Sequence, residues 1–115
     1  MSNRLSIRTE YGAWPIWDID DFGYIDPNQL PLEPETISQL LAWQAKLDDT
    51  FDQECPSNSG FSSDEDREAW RLEGIRLWQK IKKELEPPYK IYYYLYCKNK
   101  KHFLSNLGEL EEVLN

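Results

Sequence analysis

The sequence contains few of the groups from which catalytic sites are usually built. Its 115 residues include one histidine, His102, and two cysteines, Cys55 and Cys97, which do not form a C-x-x-C pair. It has no glycine-rich phosphate loop, G-x-S-x-G motif, H-E-x-x-H motif or zinc-ligand spacing. We therefore expect a non-catalytic protein that needs no cofactor and holds no metal.

Long apolar runs are also missing. No stretch approaches the ~20 residues of a membrane-spanning helix, and the first residues lack the apolar segment of a signal peptide. The cysteine usage is typical of a reducing compartment, where both side chains stay thiols. The sequence thus predicts a cytoplasmic protein without membrane contact, and its length predicts a single domain over residues 1–115.

Basic residues are scarce in the first half of the chain. Residues 1–66 hold 14 acidic and three basic side chains, whereas residues 67–115 hold seven acidic and ten basic ones, for a net charge of −8. Such an acidic balance repels duplex nucleic acid. It favours a basic protein partner, although a charged surface that only keeps the protein soluble explains the same numbers.

Period-two alternation of apolar and polar residues predicts the strands. The segments are 5–11, 89–97 and a candidate strand over 14–19. Because Pro15 has no N–H to donate, this last strand must lie at the edge of the sheet or contain a bulge. Residues 103–104 form a candidate return strand. Because the strands come from both ends of the chain, we expect one small, mostly antiparallel sheet.

Apolar stripes with helical spacing predict two long helices, near residues 35–53 and 63–85, and a short terminal helix over 107–114. Trp43, Trp70 and Trp78 lie on or beside these stripes and should be mainly buried. Gly74 shares the stripe of the second helix, which indicates a close contact between helices. Together the elements predict an α+β fold in which the two long helices cover the sheet.

The most informative segment is 10–26, where two Trp, two Tyr and one Phe alternate with five acidic residues. Aromatic rings that stay in water do not contribute to folding free energy, so we expect these rings to be buried in the core or to be covered by a partner. The candidate partner-binding residues are Trp17, Asp18, Asp20, Asp21 and Phe22. A second acidic set, Asp48, Asp49 and Asp52, follows the first long helix. Both sets suit a basic protein partner.

Two other functions remain open from the sequence alone. Clustered carboxylates such as Asp18, Asp20 and Asp21 are the ligands of hard cations, which would suit a metal-dependent enzyme, although the spacing fails the EF-hand pattern. Alternatively, Tyr92, Tyr94 and Tyr96 alternate on one strand face beside lysines and could stack the bases of single-stranded nucleic acid.

Three short motifs are similar to those of a known group of proteins. They are Tyr11-Gly12-Ala13-Trp14-Pro15-Ile16-Trp17, Leu41-Ala42-Trp43 and Ser59-Gly60-Phe61. In these the chain resembles a group of small, acidic, uncharacterised bacterial proteins over most of its length. By size and charge alone the chain is also similar to immunity proteins of bacterial toxin systems. This resemblance implies a binding protein that masks a partner.

Overall fold

The computed structural model describes residues 2–55 and 59–114. It has a five-stranded sheet and three α-helices, which confirms the predicted α+β class. The strands are β1 (Arg4–Ile7), β2 (Ile16–Asp18), β3 (Gly23–Ile25), β4 (Lys90–Cys97) and β5 (Lys100–Leu104). The helices are α1 (Pro34–Asp48), α2 (Asp64–Leu85) and α3 (Leu107–Leu114).

The strand order across the sheet is β3-β2-β1-β4-β5. The β1–β4 pair is parallel, with Leu5 opposite Ile91, and the other three pairs are antiparallel. The sheet is therefore mostly antiparallel, as predicted. Its central pair joins the first residues of the chain to the segment that follows α2.

Both strands predicted near the start of the chain were too long. The strand predicted over 5–11 ends at Ile7, because the chain turns before Gly12, whose φ is +71°. The strand predicted over 14–19 is limited to Ile16–Asp18, since Pro15 has no N–H to pair. Strand β3 was not predicted at all, because three residues carry too short a pattern.

Helix α1 also ends earlier than the predicted residue 53. The N–H groups of Thr50 and Phe51 donate to the carbonyl oxygens three residues back, Leu47 and Asp48, which tightens and ends the helix. The Thr50 hydroxyl also donates to the Leu47 carbonyl oxygen at 2.6 Å. Helix α2 begins as predicted, with the Ser63 hydroxyl accepting from the Asp66 N–H. The third helix, α3, adds to the two long ones. No helix within the described residues is long and apolar enough to cross a membrane.

The helices cover only one face of the sheet. Leu5 and Ile7 of β1 and Ile91 and Tyr93 of β4 point to that side and are at most 6% exposed. There they join one apolar cluster with Trp78 of α2, whose ring centroid lies 5.3 Å from that of Tyr93. The opposite face has no helix over it in the described part of the chain, and we call it the open face.

Helices α1 and α2 are held together by a reciprocal pair of tryptophans. The Trp43 and Trp70 rings stack at 4.6 Å, and each indole N–H donates to the other residue's carbonyl oxygen at 2.8 Å. Trp43 and Trp78 are fully buried and Trp70 is half-buried, so the burial predicted for all three is confirmed. The contact predicted at Gly74 is confirmed as well, because this glycine faces the Trp43 ring.

Replacing Gly74 with alanine should destabilise the protein although alanine is the better helix former. The new Cβ would lie 2.8 Å from Cε2 of Trp43, well inside contact distance. Overpacking of this kind costs about 1–3 kcal/mol, against a gain of about 1 kcal/mol in helix propensity. We expect a net loss in the free energy of unfolding, measured by urea titration. Gly23→Ala, where a Cβ meets open space, is the control, and a Gly74→Ala protein more stable than the parent would contradict the packing.

Candidate functional site

The turn between β2 and β3 is organised by the Asp18 carboxylate. Its two oxygens accept four hydrogen bonds, from the Ser2 N–H and hydroxyl at 2.6 and 2.7 Å and from the N–H groups of Asp20 and Asp21 at 3.0 and 3.2 Å. The residue is only 4% exposed. Asp18 therefore fixes the turn from inside, which is a structural role that the sequence did not reveal.

The same contacts keep Asp18 ionised. Burial alone would raise the pKa of this carboxyl, but the hydrogen bonds from Ser2, Asp21 and Asp20 together outweigh burial and hold the pKa below its usual value. The negative charge is thus part of the folded turn. It ties the start of β1 to the end of β2.

Phe22 stands at the tip of this turn. Its side chain is 86% exposed, and its backbone adopts a left-handed φ of 54°. Neither feature stabilises the folded chain. The ring stays in water, and the left-handed backbone is unfavourable for any residue with a Cβ. Asp20 and Asp21 precede it and are exposed. We call residues 20–22 the hairpin tip.

A row of rings and one guanidinium crosses the open face from edge to edge. Trp17 meets Tyr24 at 5.5 Å and Tyr94 meets Phe103 at 5.4 Å, both edge-to-face. Between them lies Arg8, whose guanidinium carbon is 4.8 Å from the Trp17 ring and 4.2 Å from the Tyr94 ring. Stacking of this type is favourable by about 0.5–2 kcal/mol per contact. The row therefore links β3 and β2 to β4 and β5 through Arg8, the residue that follows β1.

Two donors in this row have no acceptor among the described residues. They are Nε of Arg8 and Nε1 of Trp17, and both atoms are buried. Nη2 of the guanidinium donates to Glu10 at 3.3 Å. Buried donors without acceptors cost free energy, so these two donors destabilise the centre of the open face.

A groove of about 430 Å³ lies on the open face beside this row. Trp17, Phe22 and Phe103 supply rings to its wall, and Asp20 and Lys101 supply opposite charges. Asp20 follows the end of β2 that pairs with the start of β1, whereas Lys101 pairs with Tyr96 near the end of β4. The groove thus runs from the hairpin tip, where Asp20 is ion-paired with Arg4, to Lys101 near the β4–β5 turn.

The second acidic set lies elsewhere. Asp48 accepts from the Gly12 N–H at 2.9 Å, and Asp52 accepts from the N–H groups of Glu54 and Cys55 at 3.0 Å. Gly12 follows the C-terminal end of β1, while Asp20 contacts Arg4 at the other end. The structure therefore does not bring the two acidic sets together. Of the second set, Asp49 is the exposed member.

Neither alternative function gains support from the geometry. Within residues 2–55 and 59–114 no group of three or more His, Cys, Asp or Glu side chains is arranged to hold a metal ion. Tyr92, Tyr94 and Tyr96 do share the open face. However, the guanidinium carbon of Arg4 lies 5.9 Å from the Tyr92 ring centroid, and the guanidinium of Arg8 lies over the Tyr94 ring, where a base would have to stack. His102 is half-buried in β5, with Nε2 3.3 Å from the Cys97 carbonyl oxygen.

Arg8, Tyr24 and Phe103 of the ring row were not among the residues predicted for partner binding. Arg8 follows buried Ile7 and Phe103 precedes buried Leu104, a pattern that predicts that both side chains point away from the core. The pattern does not predict which strands are neighbours in the sheet. Only the order β2-β1-β4 brings Arg8 between Trp17 and Tyr94.

Replacing Asp18 with asparagine should destabilise the protein at neutral pH, because an amide cannot accept all four hydrogen bonds. We expect a loss of about 1–3 kcal/mol in the free energy of unfolding at pH 7. A carboxyl whose pKa is lowered by folding stabilises above its unfolded pKa, near ~4, and this contribution disappears as the pH falls through the lower folded value. The difference between parent and variant should therefore shrink in acid. Denaturation at several pH values tests this, with the exposed Asp49→Asn as control, and a difference independent of pH would contradict it.

The chain matches the family described as Serratia CdiI immunity protein-like over residues 3–96, which run from β1 through nearly all of β4 and leave out β5. No curated protein matches. Because the match covers well over half of the sequence, the chain belongs to the Serratia CdiI immunity protein-like family.

Proposed function

We propose that this protein is an immunity protein that binds a basic toxin partner through the hairpin tip and the adjoining Trp17. Family membership supports a binding function of the immunity type. The observation that carries the choice of surface is Phe22, a ring that is 86% exposed on a strained backbone and flanked by two exposed carboxylates.

Each residue of this surface has a distinct part in the proposal. Phe22 is the apolar anchor, which gains its burial only when a partner covers it. Trp17 is half-buried and supplies the neighbouring groove wall. Asp20 and Asp21 attract a basic partner and set its orientation. Asp18 lies beneath them and holds the turn, so we expect it to act on binding through the position of the tip.

The second acidic set contributes at longer range in this proposal. Asp48 and Asp52 are engaged in hydrogen bonds within the chain, and the set lies beyond the opposite end of β1 from the hairpin tip. We expect these charges to speed the approach of a basic partner without contacting the residues that Phe22 contacts.

Replacing Phe22 with asparagine should separate binding from stability. Asparagine tolerates the left-handed backbone better than phenylalanine, so the free energy of unfolding should stay level or rise by up to ~1 kcal/mol. The anchor is lost, and the dissociation constant for the partner should rise by about 10-fold or more. The partner is first captured on the immobilised protein from the source cell and then titrated calorimetrically.

The matched control is Leu72→Ala, which removes another exposed apolar side chain, 55% exposed on α2. This variant should bind as the parent does. If Phe22→Asn binds equally well, or if Leu72→Ala loses as much affinity, the hairpin tip is not the anchor.

Reversing the charge of the tip should slow association. With Asp20→Lys and Asp21→Lys together, a basic partner should associate roughly 10-fold or more slowly at low salt, and the difference should shrink as ionic strength rises. Stopped-flow or surface-plasmon kinetics at several salt concentrations measure this. Asp49→Lys reverses one charge of the second set and should have a smaller effect. An acidic captured partner, or an association rate that ignores both salt and the reversal, would overturn the proposal.

A further inference from the structure

A second groove lies at the β3 edge of the sheet, where the loop of residues 12–14 meets α1. Its volume is about 470 Å³. Trp14 and Tyr24 line it with rings that are 37% and 54% exposed, and among its described lining residues Asp48 alone is charged. We call it the loop groove. A concave site with exposed rings and one carboxylate has the composition of a binding pocket.

The loop is fixed on α1 by hydrogen bonds that use the local donors. The Gly12 N–H donates to Oδ1 of Asp48 at 2.9 Å, and Nε2 of Gln44 donates to the same oxygen at 3.1 Å. The second hydrogen of that amide goes to the Glu10 carbonyl oxygen at 2.9 Å. The loop groove is therefore already formed in the free protein.

Two acceptors remain at this junction. Gln44 is only 5% exposed, and its Oε1 is buried without a donor in the described part of the chain. Oδ2 of Asp48 likewise has no hydrogen bond or ion pair there. Unpaired buried acceptors cost free energy. Because the adjoining N–H groups of Gly12 and Gln44 are already engaged, the junction has acceptors in excess and suits a group that only donates.

We infer that the loop groove binds one arginine side chain of the basic partner. A guanidinium carries five N–H donors, no acceptor and a positive charge, which complement Asp48 and the free acceptor of Gln44. Its planar group also stacks on aromatic rings, and Trp14 provides one beside the carboxylate. The inference rests on the proposed function, since the partner supplies the arginine.

The position of the loop groove fits a partner seated on the hairpin tip. Tyr24 follows Phe22 by two residues, so their Cα atoms are at most about 7 Å apart. The Tyr24 ring also meets Trp17 at 5.5 Å. A partner that covers Phe22 and Trp17 thus reaches the loop groove across Tyr24. Asp48 then makes a direct contact in addition to its long-range attraction.

An isolated side chain tests the loop groove without the partner. Nα-acetyl-arginine methylamide is titrated into the ¹⁵N-labelled full chain, and the backbone and indole signals are followed by NMR. We expect saturable shifts centred on Gly12, Trp14 and Asp48, with a dissociation constant of order millimolar. The citrulline analogue has the same shape without the charge and should bind about 10-fold more weakly or worse. Equal binding of citrulline, or no saturable shift at these residues, overturns the inference.

Asp48→Asn separates binding from loop structure. The asparagine Oδ1 still accepts from Gly12 and Gln44, while the charge and the acceptor at Oδ2 are lost. The dissociation constant for the arginine probe should rise by about 5-fold or more. The control is Asp49→Asn, a neighbouring exposed carboxylate that does not line the loop groove, and it should bind as the parent does.

Trp14→Leu provides a second variant that leaves both of these hydrogen-bond acceptors in place. It removes the stacking ring and should also weaken the arginine probe, whereas Tyr96→Leu, which removes an exposed ring elsewhere on the sheet, should not. Probe affinity that is unchanged in both Asp48→Asn and Trp14→Leu contradicts the inference.

The captured partner separates this inference from the proposed function. Asp48→Asn should raise the dissociation constant for the partner by about 5-fold or more. If Phe22→Asn loses affinity and Asp48→Asn binds as the parent does, the inference fails and the proposed function stands. An acidic captured partner overturns the proposed function, and the arginine titration of the isolated chain then still decides whether the loop groove binds a guanidinium.

Discussion

The parallel pairing of β1 with β4 determines where the site can form. Two parallel neighbours need a long crossover, and here the crossover from β1 to β4 contains β2, β3, α1 and α2. Both long helices pack on the same side of the sheet with Trp78 and Tyr93. The other side keeps the outward residues of all five strands, and it carries the ring row and the groove.

The sequence predicted much of this framework from local patterns. Strand β4 and helix α2 were placed almost to the residue, because each has a long regular pattern with clear ends at Ser63 and at the two prolines before Tyr89. The close approach at Gly74 was also predicted, since a glycine on an apolar stripe lowers helix propensity and makes room for a neighbouring side chain. Shorter elements were not predicted as well. Strand β3 was missed because three residues are too few to show an alternating pattern.

The site was predictable only in part, because its parts come from distant positions. Trp17 and Phe22 were predicted from their own segment, where rings among carboxylates are unusual. Arg8 could not be found that way, since its role depends on having Trp17 on one neighbouring strand and Tyr94 on the other. Asp18 was assigned to a partner for the opposite reason. Its sequence neighbours are exposed acids, and nothing local shows that its carboxylate faces Ser2.

The bracing of the β2–β3 turn has a consequence for recognition itself. Flexible recognition loops lose conformational entropy when they bind, at a cost of about 0.5–1.5 kcal/mol for each immobilised side chain. Here Asp18 already fixes the backbone of Asp20 and Asp21 in the free protein. The tip is therefore preorganised, because its backbone loses this conformational entropy during folding and not during binding. In the proposed complex this makes recognition close to lock-and-key, so the apolar contact of Phe22 governs chiefly how long the complex lasts.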